Sequence, residues 1–145
     1  MFVPKIVNGY EIKRYSNLRN AKLRKVNLRG LDIEESDFEF ADLQGADFRK
    51  TALYASRFRN TNVRDAKFQG ADLERVDFSS SDAVGANFSG AYMHQANMSN
   101  SNFDGANLEG AFLTGTNLSH VAFRDTKLNG AIIDGPDGRE YVLVA

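Results

Sequence analysis

The residues with the clearest capacity for chemistry are two histidines, His94 and His120, and a serine run, Ser79 to Ser81. Histidine ligates metals and moves protons, and serine acts as a nucleophile when a histidine and a carboxylate are set beside it. Neither histidine has a second histidine at ligand spacing, and the chain has no cysteine. The sequence therefore predicts no enzyme activity, no catalytic residue, no metal site and no cofactor.

The element that positions these side chains is a five-residue period. An apolar residue occupies every fifth position from Leu18 to Ile133, which gives 24 consecutive units over residues 16–135. Ala, Ser, Thr or Val stands two places earlier in every unit except the one with Leu31, and ten of the twelve glycines stand in the last place. Two inward-facing slots separated by one slot and followed by a turn indicate a short strand and a corner. In a helix, an apolar residue at every fifth position would be scattered around the axis and would form no single face. The units are predicted to stack as a solenoid.

Units 41–45, 71–75 and 106–110 read ADLQG, ADLER and ANLEG. They resemble the A(D/N)LXX motif of the pentapeptide-repeat protein family, and the resemblance covers most of the chain. It implies an all-β fold, a right-handed quadrilateral parallel β-helix with four pentapeptides in each coil. The 24 units would then make about six coils.

The chain is predicted to have three segments. Residues 1–15 are interpreted as an N-terminal cap, a short hairpin around Asn8 and Gly9, because terminal coils of a solenoid need covering. Residues 16–135 form the β-helix. Residues 136–145 form a C-terminal apolar tail or capping strand.

Stacking places residues 20 apart in contact, and it brings blocks of opposite charge together. Ion pairs are predicted between Arg19 and Glu39, Lys22 and Asp42, and Asp47 and Lys67. Direct nucleic-acid binding is therefore not expected. No apolar run reaches membrane-span length, so no membrane contact and a cytoplasmic location are predicted.

One unit breaks the core pattern. Ala83 stands where the other units hold a larger apolar residue, and the apolar Val84 follows it. Either the core is locally thin at Ala83, which we favour, or the strand shifts so that Val84 points inward.

Face four consists of units 31–35, 51–55, 71–75, 91–95, 111–115 and 131–135, and its net charge is −5. Its outward slot before the central residue ends in three apolar residues, where the other faces mostly hold Asp or Asn. An exposed apolar stripe is typical of a contact surface. The candidate partner-binding residues are Tyr54, Tyr92, Phe112, Ile132, Asp32, Glu34, Asp72 and Glu74.

The apolar tail supplies candidate dimer or capping residues, which are Tyr141, Val142, Leu143 and Val144. Three roles stay open for this tail. It covers face four, caps the last coil, or forms a homodimer through the C-terminal end.

The predicted function is a non-enzymatic protein-interaction or scaffold module that binds a protein partner through one face or the C-terminal end. The family resemblance implies an alternative, a DNA mimic that inhibits or protects a DNA-binding enzyme such as DNA gyrase. The charge density of the rod gives this alternative little support. Face four has a net charge of −5 over roughly 29 Å, whereas duplex DNA has one negative charge per about 1.7 Å of its axis. A purely structural spacer is the remaining alternative.

Overall fold

The computed structural model describes residues 5–144, so Ala145 and the first four residues of the predicted N-terminal cap lie outside the described residues. Strands β1 (Lys5–Val7) and β2 (Tyr10–Ile12) pair antiparallel at one end. Strands β3 (Ile132–Asp134) and β4 (Glu140–Val142) pair antiparallel at the other. Between residues 5 and 144 there is no helix that could span a membrane.

Parallel single-residue bridges join positions 20 apart throughout the rod. Four columns of bridges start at Asn17, Lys22, Asn27 and Asp32, and each column contains six residues. The chain thus turns four corners every 20 residues and stacks each strand on the one before it. The all-β solenoid predicted from the period is confirmed.

Each corner is a turn that closes the five-residue unit. Every fifth residue from Tyr15 to Gly130 has a positive φ, the left-handed conformation that favours glycine and asparagine. In the outward slot, an Asp or Asn side-chain oxygen accepts the N–H two residues later, as Asn97 does from Ser99 at 3.0 Å. This bond explains why Asp and Asn dominate the slot.

The large central residues fill the bore of the rod. Two columns of phenylalanine, one of Phe38, Phe58 and Phe78 and the other of Phe48, Phe68 and Phe88, are fully buried. Rings in the second column stack nearly parallel at 4.7–4.9 Å and meet the first column edge-on at 5.6–6.0 Å. Both arrangements are favourable for aromatic quadrupoles.

The unit around Ala83 keeps its frame. Asp82 bridges Asn102 as the period requires, and Val84 points outward rather than into the core. The ring of Phe103, in the next coil, lies 5.3 Å from the Phe88 ring. An aromatic side chain from the neighbouring coil therefore packs beside the small residue, and the strand shift is excluded.

Charged side chains pair along the faces, but not always with the residue directly stacked on them. The predicted Arg19–Glu39 pair forms at 2.6 Å. Lys22 stacks on Asp42 and Lys67 on Asp47 as predicted. Each of these carboxylates nevertheless makes its close ion pair with an arginine, Asp42 with Arg24 at 2.6 Å and Asp47 with Arg49 at 2.6 Å. The residue after the centre also points outward on the same face, and the guanidinium fork offers a carboxylate better geometry than lysine does.

Arg49 and Asp47 form a two-bond contact, with Nε donating to Oδ1 at 2.9 Å and Nη2 to Oδ2 at 2.6 Å. These hydrogen bonds hold the pKa of Asp47 below its ordinary value. Because the pKa is lower in the folded chain, ionised Asp47 stabilises the fold above the unfolded-state pKa. That contribution is lost as the pH falls through the folded-state pKa.

Replacing Arg49 with glutamine (Arg49→Gln) should raise the pKa of Asp47 towards its ordinary value and reduce the loss of stability in acid. An NMR titration of the Asp47 carboxyl carbon measures the midpoint directly. Lys67→Gln is the matched control and should move the midpoint less, since the hydrogen bonds of Arg49 are the larger influence. An unchanged midpoint in Arg49→Gln would show that this contact does not form in solution.

Candidate functional site

Two aromatic rings stack on the outside of face four. Tyr92 and Phe112 have ring centroids 5.1 Å apart and planes within 4° of parallel, and the Tyr92 side chain is 48% exposed. Phe112 bridges Ile132 in the next coil. The structure therefore brings these three predicted residues together in one outward column.

The C-terminal tail lengthens this column. In the β3–β4 hairpin Ile132 is paired with Val142, so the two side chains lie side by side on the same surface, and Val142 is 61% exposed. We call Tyr92, Phe112, Ile132 and Val142 the apolar stripe. The tail extends the stripe at its end and leaves Tyr92 open, so it does not cover face four.

The apolar stripe gives up local hydrogen bonds that other faces make. At the same slot Asn97 accepts the N–H of Ser99, and Asn107 accepts that of Glu109 at 2.9 Å. Phe112 has no side-chain acceptor, and the only polar atom of the Tyr92 side chain is the hydroxyl oxygen at the far end of the ring. This departure from the repeat rule leaves the Tyr92 ring exposed and the Phe112 ring half-buried, and local departures of this kind are expected at functional sites.

A hollow of about 320 Å³ lies beside Tyr92 at the corner between faces three and four. It forms where Ala52 and Gly70 carry little or no side chain. Asp72, Glu74 and Lys50 also line it. Within residues 5–144, neither Asp72 nor Glu74 has a cationic group within 4.0 Å, although both side chains are half-buried.

The remaining predicted residues of face four lie apart from the apolar stripe. Arg14 pairs with Asp32 at 3.5 Å and also with Glu34, so these two carboxylates share one cation that lies before residue 16. Tyr54 is half-buried, in the column that contains Glu34 and Glu74. The structure thus separates Asp32, Glu34 and Tyr54 from the Tyr92–Phe112 stack.

His94 belongs to the site, although the sequence indicated an ordinary surface residue. Its ring lies 5.7 Å from the Phe112 ring, and Nδ1 is hydrogen-bonded to the Thr114 hydroxyl at 2.5 Å. It also lines the hollow beside Tyr92. The sequence could have indicated this role, because His94 occupies the slot after the central residue Met93. That slot adjoins the outward column that contains Tyr92 and Phe112 on the same face.

The comparisons with known proteins bear on the whole rod. A family model described as a pentapeptide repeat region matches residues 14–88, and one described as pentapeptide repeats (8 copies) matches residues 96–135. This chain belongs to the pentapeptide-repeat family. Its fold is accordingly the right-handed quadrilateral β-helix of that family. None of the curated proteins matches it.

Two solved structures show the similarity in detail. One is a pentapeptide repeat protein from the cyanobacterium Cyanothece 51142, with 25% identity and a TM-score of 0.72, covering 73% of this chain and 86% of that one. The other is a pentapeptide repeat protein from the thylakoid lumen of Arabidopsis thaliana, with 28% identity and a TM-score of 0.67, covering 68% and 69%. These matches support the fold across about two thirds of the chain or more.

The two ends of this pentapeptide-repeat protein are covered differently. At the first coil the central Leu18 is only 1% exposed, and Ile12 of β2 joins the core above it. At the last coil the central Leu118 is 37% exposed, and Phe123 and Leu128 are only partly buried. Part of the apolar core therefore faces solvent at the C-terminal end.

The backbone is also open at this end on faces one to three. In the coil below, Met98 N–H donates to the Asn117 carbonyl at 2.9 Å. The equivalent N–H groups of Leu118, Phe123 and Leu128 have no partner among the described residues. This edge resembles the exposed edge strand that proteins usually protect.

The tail protects the fourth face of this end. Leu143 N–H donates to the Ala131 carbonyl at 2.8 Å, and the Leu143 side chain packs against the core. Tyr141 is paired with Ile133, and its hydroxyl donates to Asp137 at 3.0 Å. Val144 is 84% exposed. Of the four predicted tail residues, Leu143 contributes most to covering the last coil.

Proposed function

We propose that this protein is a non-enzymatic interaction module that binds a protein partner through the apolar stripe of face four. The observation that carries the proposal is the outward stack of Tyr92 on Phe112, continued by Ile132 and Val142. Aromatic side chains that expose a flat apolar surface are enriched at protein interfaces and often dominate their binding energy.

The position of the stripe supports this function over a purely structural spacer. A spacer gains nothing from an exposed Tyr92 ring and a half-buried Phe112 ring in a slot where Asp or Asn would cap the turn. The rest of the face is rigid because each strand is hydrogen-bonded to both neighbours, as Tyr92 N–H is to the Ala71 carbonyl at 3.0 Å. A rigid surface loses little entropy on binding.

Site-specific photo-crosslinking in the source cells tests this proposal. Benzoylphenylalanine at position 112 replaces an aromatic side chain with a similar one, and we expect a discrete covalent adduct with another protein. The matched controls place the same group at Asn107 and Asn102, which occupy the equivalent slot on faces three and two. These positions should give no such adduct.

Competition then distinguishes specific contact from chance proximity. Excess purified protein should suppress the adduct at position 112, whereas excess Tyr92→Asn/Phe112→Asn protein should not. Asparagine already occupies this slot at Asn97 and Asn117, so the double variant should fold. Equal adducts at positions 112, 107 and 102, or none at all, would refute binding through the stripe.

A homodimer through the C-terminal end is the second candidate, supported by the partly exposed Leu118 and the unpaired edge beside it. Two such ends meeting about a twofold axis would bury both open cores. Sedimentation across a range of concentrations measures it. A single monomeric species at all concentrations would refute it.

The DNA-mimic alternative gains no support from charge. Arg14 neutralises part of the acidic charge of face four by pairing with Asp32 and Glu34. A supercoiling assay with purified DNA gyrase tests it, and inhibition or protection at low molar excess would favour the mimic over the interaction module. The cytoplasmic location stays a prediction, and one similar structure comes from a thylakoid lumen.

A further inference from the structure

We propose that the hollow beside Tyr92 receives an arginine side chain of the partner protein, so that the apolar stripe and the hollow recognise a basic residue with an apolar neighbour. This inference rests on the proposed function, because it assumes that a partner lies along face four. It adds the chemistry of that partner.

The charge of the hollow favours a cation. Asp72 and Glu74 are half-buried and have no cationic partner in the described part of the chain. Elsewhere on the rod the carboxylates of Asp37, Asp42 and Asp47 are each paired with an arginine. A guanidinium from outside would give Asp72 and Glu74 the same kind of contact.

The aromatic wall favours arginine over lysine. Tyr92 presents an exposed ring whose position is fixed by stacking on Phe112. A planar guanidinium can lie against such a ring while its N–H groups reach the carboxylates, whereas an ammonium makes only one of these contacts well. The chain makes a similar contact itself, because the Arg19 guanidinium lies 5.7 Å from the Phe40 ring centroid.

The size of the hollow suits one side chain. Its volume, about 320 Å³, is at the small end of ligand pockets. Lys50 stands on the rim and places a competing positive charge near the occupant. This cation provides a test of sign, since removing it should strengthen the binding of a basic group rather than weaken it.

An NMR titration of isotope-labelled protein tests the inference. The probe is an acetylated, amidated pentapeptide, Gly-Arg-Gly-Leu-Gly, and its controls carry Lys, Gln or Glu in place of Arg. We expect the arginine peptide to shift the backbone amides of Gly70, Asp72 and Tyr92, with weaker effects from lysine and none from glutamine or glutamate. The expected order of affinity follows the carboxylate and ring contacts.

Variants separate the contributions. Asp72→Asn combined with Glu74→Gln should weaken the arginine peptide about tenfold, because each exposed ion pair is worth a few-fold in affinity. Lys50→Gln should strengthen it about twofold. Asp82→Asn, at the equivalent slot of face two, is the matched control and should change nothing.

A steric variant keeps the test independent of charge. Gly70→Asn places a side chain in the hollow, and asparagine is accepted at the same corner conformation at Asn60 and Asn100, with φ of 54° and 58°. It should block the arginine peptide, whereas Gly30→Asn, at the same corner two coils away, should not. Gly30 has open space where a Cβ would lie.

The outcomes distinguish a failure of the arginine site from a failure of the proposed interaction function. Equal binding of the arginine and glutamine peptides, or unchanged binding in Asp72→Asn/Glu74→Gln, overturns the arginine site. If the crosslink at position 112 persists in that case, the interaction module stands and only its partner chemistry is wrong. If the crosslink is also absent, both proposals fall.

Discussion

Phe68→Ala should lower the free energy of unfolding by about 3–5 kcal/mol, the usual cost of removing a fully buried phenylalanine. The Phe68 ring is 0% exposed and stacks between Phe48 at 4.9 Å and Phe88 at 4.7 Å. It also meets the edges of Phe58 and Phe78. The cavity would open in the middle of the rod, where neighbouring coils are held by backbone bonds on both sides and cannot collapse into it.

Phe68→Leu is the matched control, because leucine occupies the same column at Leu28 and Leu108. It should cost much less, about 1–2 kcal/mol, since it leaves a smaller cavity. Urea unfolding followed by circular dichroism measures both variants. A loss below about 1 kcal/mol for Phe68→Ala would mean that neighbouring side chains collapse into the cavity and that the aromatic columns contribute little to stability.

The five-residue period predicted the repeating part of the structure because one rule there decides both core and surface. Large residues such as Phe68 point inward, and the residues on either side point outward, so stacking by 20 residues follows from the sequence alone. The same rule identified the outward positions of Tyr92, Phe112 and Ile132. These three residues stood out because most units of the other faces have Asp or Asn in that slot.

The rule could not predict contacts that depend on side-chain reach or on the ends of the chain. Arg14 stands 20 residues before Glu34, so extending the period by one unit would have predicted that pair, whereas its contact with Asp32 depends on side-chain reach. Asp42 pairs with Arg24, which reaches it through Nε from the coil before, rather than with the stacked Lys22. His94 was overlooked because the period assigns its slot to the surface without saying what adjoins it.

The tail illustrates the same limit. Its composition predicted a strand, and β4 is one, but nothing in the residue pattern decides whether that strand lies beside Ile132 or over Tyr92. The deciding factor is the unpaired edge of β3, which offers backbone hydrogen bonds to an antiparallel strand. Only face four of the last coil receives this protection, while Leu118 on face one stays exposed.

Deletion of the tail after Gly135 should therefore convert the C-terminal end into a strongly self-associating surface. The deletion removes the β3–β4 pairing, the bond from Leu143 to Ala131 and the packing of Leu143 on the core. Loss of these bonds should lower the free energy of unfolding by about 1–3 kcal/mol, because each net hydrogen bond contributes about 1 kcal/mol. All four faces of the last coil would then present unpaired edges.

Sedimentation velocity at several concentrations separates the two roles of the tail. If it protects the edge, the truncated chain forms dimers and larger stacks at concentrations where the full chain does not. Adding Leu118→Lys and Leu128→Lys should reverse this association, because lysine on an edge opposes strand pairing, and the partial exposure of both side chains limits the cost to folding. If truncation instead abolishes association of the full chain, the tail itself forms the dimer contact. A truncated chain that stays folded and monomeric at all concentrations would contradict this prediction, because it would show that the open last coil does not drive self-association.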